Sequence, residues 1–208
     1  MIKRILAGFI LLFIIGCSQK SSLTNASNLT ANAIHSKIYK AVQDNNLDDA
    51  DNLFLSLDAQ YPSSIYIKPD LLILFLAHMQ NEEYKLAKFY IGEYEKRFAG
   101  IEEIPWCEYQ KIKADFFDYQ NAYTDQGKLL NLIEECENFK EHFSSSKYIY
   151  EVNTIHAKAL LTKKYLDDKI YKLYKKLDKP KAAEKYKTAI PKNSKEPVVP
   201  WYKKIFYW

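Results

Sequence analysis

The sequence contains few residues that interrupt helices. Only 5 Gly and 7 Pro occur among its 208 residues, and most of the prolines lie near segment boundaries or in the last thirty residues. This composition favours an all-helical protein with short connections. With 48% hydrophobic and 27% charged residues, the chain has the composition of a globular protein long enough for one extended domain.

Residues that build metal sites and active sites are also scarce. The four histidines are scattered over different predicted helices without an H-E-x-x-H motif or an i, i+4 pair, so no metal site is expected. No stretch matches a nucleophile elbow, a P-loop or a dinucleotide-binding fingerprint. Solvation or compensation of the helix dipole explains most of the acidic pairs. We therefore expect a protein that is not an enzyme and needs no cofactor.

A recurring apolar pattern is the main positive signal. Starting at Leu47, Tyr84 and Leu129, apolar residues step by three, four, three and four, which places each set on one face of a helix. The copies begin 37 and 45 residues apart (84 − 47 and 129 − 84), a period typical of helix-pair solenoids. Such units stack, and the stack usually binds rather than catalyses. The three sets are Leu47, Ala50, Phe54, Leu57 and Tyr61; Tyr84, Ala87, Ile91, Tyr94 and Phe98; and Leu129, Leu132, Cys136, Phe139 and Phe143.

Turn residues mark the ends of the first predicted helices. The first helix is predicted to begin near Ala31 and to end at residues 44–46, and the second to run from Leu47 to Tyr61. A third helix holds Pro69 in its first turn. Because that helix is apolar around much of its circumference, we expect it to be buried.

Further along, Gly100 is predicted to stop the fourth helix and Pro105 to start the fifth. A turn over residues 121–127 leads into the third copy of the repeat. Residues 147–177 contain no Gly or Pro, which predicts one long helix or two helices joined end to end. A short last helix opens at Pro180.

The first helix pair resembles a tetratricopeptide (TPR) repeat. The resemblance implies that the small Ala50 lets the two helices of the pair approach closely. We expect an all-α fold, a TPR-like superhelix of about three and a half to four helix pairs with one long helix, over residues 32–190. The residues at the signature spacing are Ile34, Ile38, Ala41, Leu47, Ala50, Phe54, Leu57 and Pro62.

The N-terminus has the pattern of an export signal. Two basic residues precede an apolar run over residues 5–15, which is shorter than the about 20 residues needed to span a bilayer. The end of this run resembles the lipobox of bacterial lipoproteins, which implies cleavage after residue 16 and a lipid on Cys17. Ser18 stands where Asp would indicate retention in the inner membrane, so the outer membrane is favoured. Residues 17–31 are predicted to be a polar tether.

Charge is distributed unevenly along the chain. Residues 21–157 carry 12 basic and 21 acidic side chains, net −9, whereas residues 158–208 carry 15 basic and 5 acidic side chains, net +10. A docking surface for an acidic partner and a solvated helix face account about equally well for the basic end. Export from the cytoplasm removes nucleic acid as a partner.

The tail, residues 191–208, combines prolines with a dense aromatic cluster. It is equally compatible with a short motif inserted into a partner groove and with a cap that covers the last repeat. Cys107 and Cys136 could form a disulfide in an oxidising periplasm. However, Cys136 occupies the core position held by Phe54 and Ile91 in the other copies, which favours a small buried hydrophobe.

The order of these parts resembles the BamD family of TPR lipoproteins of the β-barrel assembly machinery. The resemblance implies attachment to the inner leaflet of the outer membrane, facing the periplasm, and contact with the POTRA domains of BamA through the C-terminal half. It also implies recognition of nascent outer-membrane proteins by the N-terminal half. The chain departs from the family by ending after about three and a half repeats. The stretches that carry the resemblance are DNN at 44–46, YPSSIY at 61–66, AHM at 77–79, EYKLA at 83–87, FSSSKY at 143–148, IYKLY at 170–174 and PKAAEKY at 180–186.

Two sets of candidate binding residues follow from this resemblance. Substrate is expected on the first helices of the first two pairs, at His35, Tyr39, Leu72, Leu76 and Met79. BamA is expected on the basic region and the tail, at Lys172, Lys175, Lys176, Trp201, Tyr202, Phe206 and Trp208. The alternative within binding proteins is a pilotin-like factor for a secretin. A peptidoglycan-modifying enzyme would need a carboxylate cleft that the sequence does not indicate.

Overall fold

The computed structural model describes residues 29–119 and 126–187, and every regular element in this part of the chain is an α-helix. This confirms the predicted all-α, TPR-like fold. The helices are α1 (Ala31–Gln43), α2 (Leu47–Gln60), α3 (Ile67–Gln80), α4 (Tyr84–Phe98), α5 (Ile104–Asp118), α6 (Gln126–His142), α7 (Ile149–Lys176) and α8 (Pro180–Glu184).

The described helices belong to two compact units, the first ending at Ser64 and the second beginning at Ile65. In the first unit, α1 packs against α2. The hydroxyl of Thr30 caps α1 by accepting the Ala33 N–H at 3.3 Å. Asn45 adopts a left-handed conformation (φ 54°), and Asn46 then caps α2, so the two residues make a tight connection between the helices.

In the second unit, each helix packs against the next one along the chain from α3 to α8, and α5 also contacts α7. Neighbour-to-neighbour packing is the property that defines a solenoid of helix pairs. A continuous core joins α5, α6 and α7. Its buried residues are Ile112, Leu129, Leu132, Ile133, Cys136, Phe139, Val152, Ile155, Ala159 and Leu166.

The three apolar copies face the core as predicted. In each copy the second, third and fourth residues of the pattern are buried. The fifth residue lies at the edge: Tyr61 is 38% exposed, and its hydroxyl donates to the Leu29 carbonyl at 2.9 Å. The repeat is therefore a packing pattern with a half-exposed end. The buried triplets are Ala50, Phe54 and Leu57; Ala87, Ile91 and Tyr94; and Leu132, Cys136 and Phe139.

Two predictions about helix ends need correction. Gly100 does not terminate α4 by a left-handed turn, because no described glycine has positive φ and the helix already ends at Phe98 with Ala99 extended. The Gly100 N–H instead donates to the Glu103 carboxylate at 3.0 Å. Gly127, predicted to be in a turn, lies in the first turn of α6, and residues 121–125 of that predicted turn are outside the described residues.

Two alternatives left open by the sequence are resolved: whether residues 147–177 form one helix or two, and whether Cys107 and Cys136 are bridged. Helix α7 is continuous from Ile149 to Lys176, so the prediction of one long helix is confirmed and that of two joined helices is wrong. Cys107 and Cys136 are free and fully buried, in agreement with the preferred interpretation as small hydrophobes. Burial raises the pKa of each thiol to about 12, so neither is a reactive thiolate.

Candidate functional site

The apolar face of α3 is larger than its packing requires. Leu71, Leu74 and Phe75 are fully or almost fully buried, and they account for one side of the helix. Leu76, by contrast, is 55% exposed, so the predicted burial of this helix does not extend to this residue. It lies between two half-buried predicted site residues, Leu72 and Met79, at helical spacing. The three predicted residues of α3 therefore form one partly exposed apolar face.

The predicted residues of α1 form a second, smaller face. His35 and Tyr39 are one helical turn apart, and Tyr39 is 52% exposed while His35 is half-buried. Their neighbours Ile34 and Ile38 are fully buried against α2. Tyr39 therefore presents an aromatic ring on the exposed part of α1.

A buried histidine, which was not among the predicted site residues, packs at the end of α3. His78 is fully buried, and its Nδ1 lies 2.5 Å from the Glu83 carboxylate. Its ring stacks on Tyr90 of α4, with centroids 5.3 Å apart. These contacts span the turn in which Glu82 has a φ of 62°. They fix the α3–α4 connection directly beside Met79.

The predicted basic surface lies on the last turns of α7. Lys172, Lys175 and Lys176 are all exposed there. Lys172 pairs with Asp168 at 2.5 Å, and the Lys175 ammonium lies 5.5 Å from the Tyr171 ring centroid. Lysines in a last helical turn also stabilise the helix dipole. The tail residues Trp201, Tyr202, Phe206 and Trp208, like Cys17, are outside the described residues.

Two lysines of the second unit each bridge two carboxylates. Lys88 of α4 pairs with Asp115 of α5 and, at 2.7 Å, with Glu135 of α6. Burial, together with the adjacent Asp115 carboxylate, raises the pKa of Glu135 to about 7, although Lys88 opposes the shift. The Glu135 side chain is 34% exposed, so this half-buried carboxylate is still reached by solvent.

The second lysine bridge lies on α4 and α5. Lys111 pairs with Glu95 and, at 2.9 Å, with Glu108. Sequence spacing does not indicate the Lys88 cluster, because its partners stand 27 and 47 residues away along the chain. In the second cluster, only the i, i+3 pair of Glu108 and Lys111 is visible from spacing.

Comparison with known proteins identifies the family. The model of the YfiO family, described as outer membrane lipoprotein, matches residues 27–193. The chain belongs to this family. It is also 30% identical over 199 residues to the outer membrane protein assembly factor BamD of Helicobacter pylori, covering 93% of this chain and 90% of that protein. The predicted BamD-like identity is therefore confirmed.

Membership of the YfiO family places the protein at the outer membrane. Within residues 29–119 and 126–187, no helix is both long and apolar enough to cross a bilayer. The same residues contain no group of three or more His, Cys, Asp or Glu side chains suited to hold a metal ion. Nothing in the comparisons assigns a role to single residues, so the two apolar faces and the basic surface stay predictions.

Proposed function

We propose that this protein is a lipid-anchored scaffold of the outer-membrane protein assembly machinery. The observation that carries the proposal is the match to H. pylori BamD along 93% of this chain, which leaves little of either protein unmatched. In this proposal Cys17 carries the lipid, the helices face the periplasm, and the protein works without enzymatic activity. Two or more acyl chains would give stable anchoring.

Unfolded outer-membrane proteins are the proposed ligands of the two apolar faces. Each face on its own can bind an apolar or aromatic side chain of an extended segment: Leu76 in the second unit is 55% exposed, and Tyr39 in the first unit is 52% exposed. About half of each of these two side chains is therefore not covered by packing between helices. An aromatic side chain such as Tyr39 also contributes a large contact area to an interface.

Site-specific photocrosslinking tests the substrate faces. A photoreactive residue at Tyr39 or Leu76 is expected to capture unfolded outer-membrane proteins in growing cells. Leu55, which is 60% exposed on α2 but is not on either face, serves as the matched control. Equal capture from Leu55 and from Tyr39 would show contact without a specific face.

The POTRA domains of BamA are the proposed partner of the basic surface. Residues 158–187 carry 11 basic and 4 acidic side chains, and the exposed Lys172, Lys175 and Lys176 stand at the end of this region. Replacing these three lysines with glutamine is expected to reduce BamA co-purification. Lys96→Gln, at an exposed site on α4, is the control. Deleting residues 191–208 measures the contribution of the tail to BamA binding. If the amount of BamA that co-purifies is unchanged, the tail does not contribute.

Depletion of the protein separates the assembly role from that of a pilotin. We expect loss of many β-barrel proteins from the outer membrane. Loss of a secretin alone would instead favour the pilotin-like function. Cell-wall defects without either loss would favour an enzyme acting on peptidoglycan.

A further inference from the structure

A pocket of about 310 Å³ lies between the beginning of α5 and the end of α6. Its lining combines two carboxylates with aromatic rings, and none of these residues belongs to the proposed substrate faces or to the basic surface. The lining residues are Glu108, Glu135, Asn138, Phe139, His142 and Phe143.

The two carboxylates of the pocket are incompletely neutralised. Glu135 shares Lys88 with Asp115, and Glu108 shares Lys111 with Glu95. Two lysines thus face four carboxylates, which leaves these clusters with a net charge of −2 when all six groups are ionised, that is, above the Glu135 pKa of about 7. Each cluster contributes one carboxylate to the pocket. A cation that enters the pocket would approach both.

The rest of the lining favours a flat cation. Phe143, which is half-buried, supplies the aromatic wall, and its ring centroid lies 5.2 Å from that of the buried Phe139. The Nδ1 atom of His142 lies 2.8 Å from the backbone carbonyl oxygen of Asn138, and this hydrogen bond holds the histidine ring against its own helix. A guanidinium can stack on an aromatic face and donate in a planar fork to carboxylates, which an ammonium does less well.

We propose that this pocket binds an arginine side chain presented by a partner protein. The ligand follows from charge complementarity with Glu108 and Glu135 and from the adjoining phenylalanines. The inference does not depend on the proposed assembly function, because the pocket and its charge belong to this chain alone.

Titration by nuclear magnetic resonance tests the proposal with defined probes. The full chain, labelled with ¹⁵N in detergent micelles, is titrated with N-acetyl-arginine amide and with the neutral isostere N-acetyl-citrulline amide. We expect saturable shifts at Asn138 and His142 with the arginine probe only. Saturation by both probes, or by neither, overturns the proposal.

Variants locate the site and identify its occupant. Glu135→Gln and Glu108→Gln are each expected to weaken arginine binding by at least about threefold, the effect of a modest charge interaction. Glu134→Gln, at an exposed site on the same helix, is expected to leave it unchanged. If Glu134→Gln weakens arginine binding as much, the probe responds to the overall negative charge of the protein and not to this pocket, which would contradict the proposal. Binding that appears only after deletion of residues 191–208 would identify the chain's own tail as the occupant and would refute a site for a partner.

Discussion

Replacing Glu135 with glutamine should stabilise the protein at alkaline pH, although it removes an ion pair with Lys88. Burial is the largest cause of the raised pKa, and Asp115 adds to it. Because Glu135 titrates near 7 in the folded chain and near 4.5 in the unfolded chain, the folded state binds its proton more tightly between these values. The contribution of Glu135 to the free energy of unfolding therefore falls as the pH rises from about 4.5 to about 7.

The size of the effect follows from the shift and from solvent exposure. A rise in pKa from 4.5 to about 7 corresponds to an upper limit of about 3 kcal/mol. The Glu135 side chain is 34% exposed, so solvent screening reduces the expected effect to about 1 kcal/mol. Glutamine is neutral at every pH and keeps an oxygen that can accept from Lys88. Glu135→Gln should then raise the melting temperature at pH 8 by about 2–4 °C.

Thermal unfolding followed by far-ultraviolet circular dichroism measures this difference at several pH values. The advantage of Glu135→Gln should be full at pH 8 and shrink as the pH falls towards 4.5. Glu134→Gln, on the exposed side of α6, should show no such trend. A Glu135→Gln variant less stable than the wild type at pH 8 would show that the pairing with Lys88 outweighs the burial of the carboxylate, and the reasoning would be wrong.

Three further predictions concern the core. Leu132→Ala should lower the free energy of unfolding by about 2–5 kcal/mol because Leu132 is buried, whereas Leu130→Ala, at a half-exposed site on the same helix, should change it by less than about 0.5 kcal/mol in denaturant titrations. Ala87→Leu should cost about 1–3 kcal/mol in the same assay, since Ala87 is fully buried in the second repeat copy; an unchanged midpoint would mean that α4 has room beside it. Cys107 and Cys136 should resist alkylation in the native protein and react on unfolding without a reductant; a requirement for reductant would contradict the free thiols.

The sequence predicted the packing faces because each face is determined within one helix. The spacing of Ala50, Phe54 and Leu57 alone places them on one side, and all three are buried. The same reasoning overestimated the burial of α3. Its apolar residues surround the helix, but the number of neighbouring helices decides how much of that surface is covered, and Leu76 stays half-exposed. Periodicity therefore identifies the apolar face of a helix, but it does not show how much of that face the neighbouring helices bury.

The Lys88 cluster could not be predicted in this way, because it depends on the register of three helices at once. Lys88 is followed along the chain by Asp115 and Glu135, which belong to two other helices, and no spacing rule joins residues 27 and 47 positions apart. Only after α4, α5 and α6 are packed does one ammonium lie between both carboxylates.

The repeat itself shows why these charges differ from copy to copy. The position of Lys88 in the second copy corresponds to Asp51 in the first and to the buried Ile133 in the third, counting from the first residue of each pattern. Core positions must stay apolar for the helices to stack, whereas the positions beside them can change without loss of the fold. Specific binding chemistry is therefore expected at the positions that the repeat leaves variable. The arginine pocket, with Glu135 directly before the core residue Cys136, lies at such a position.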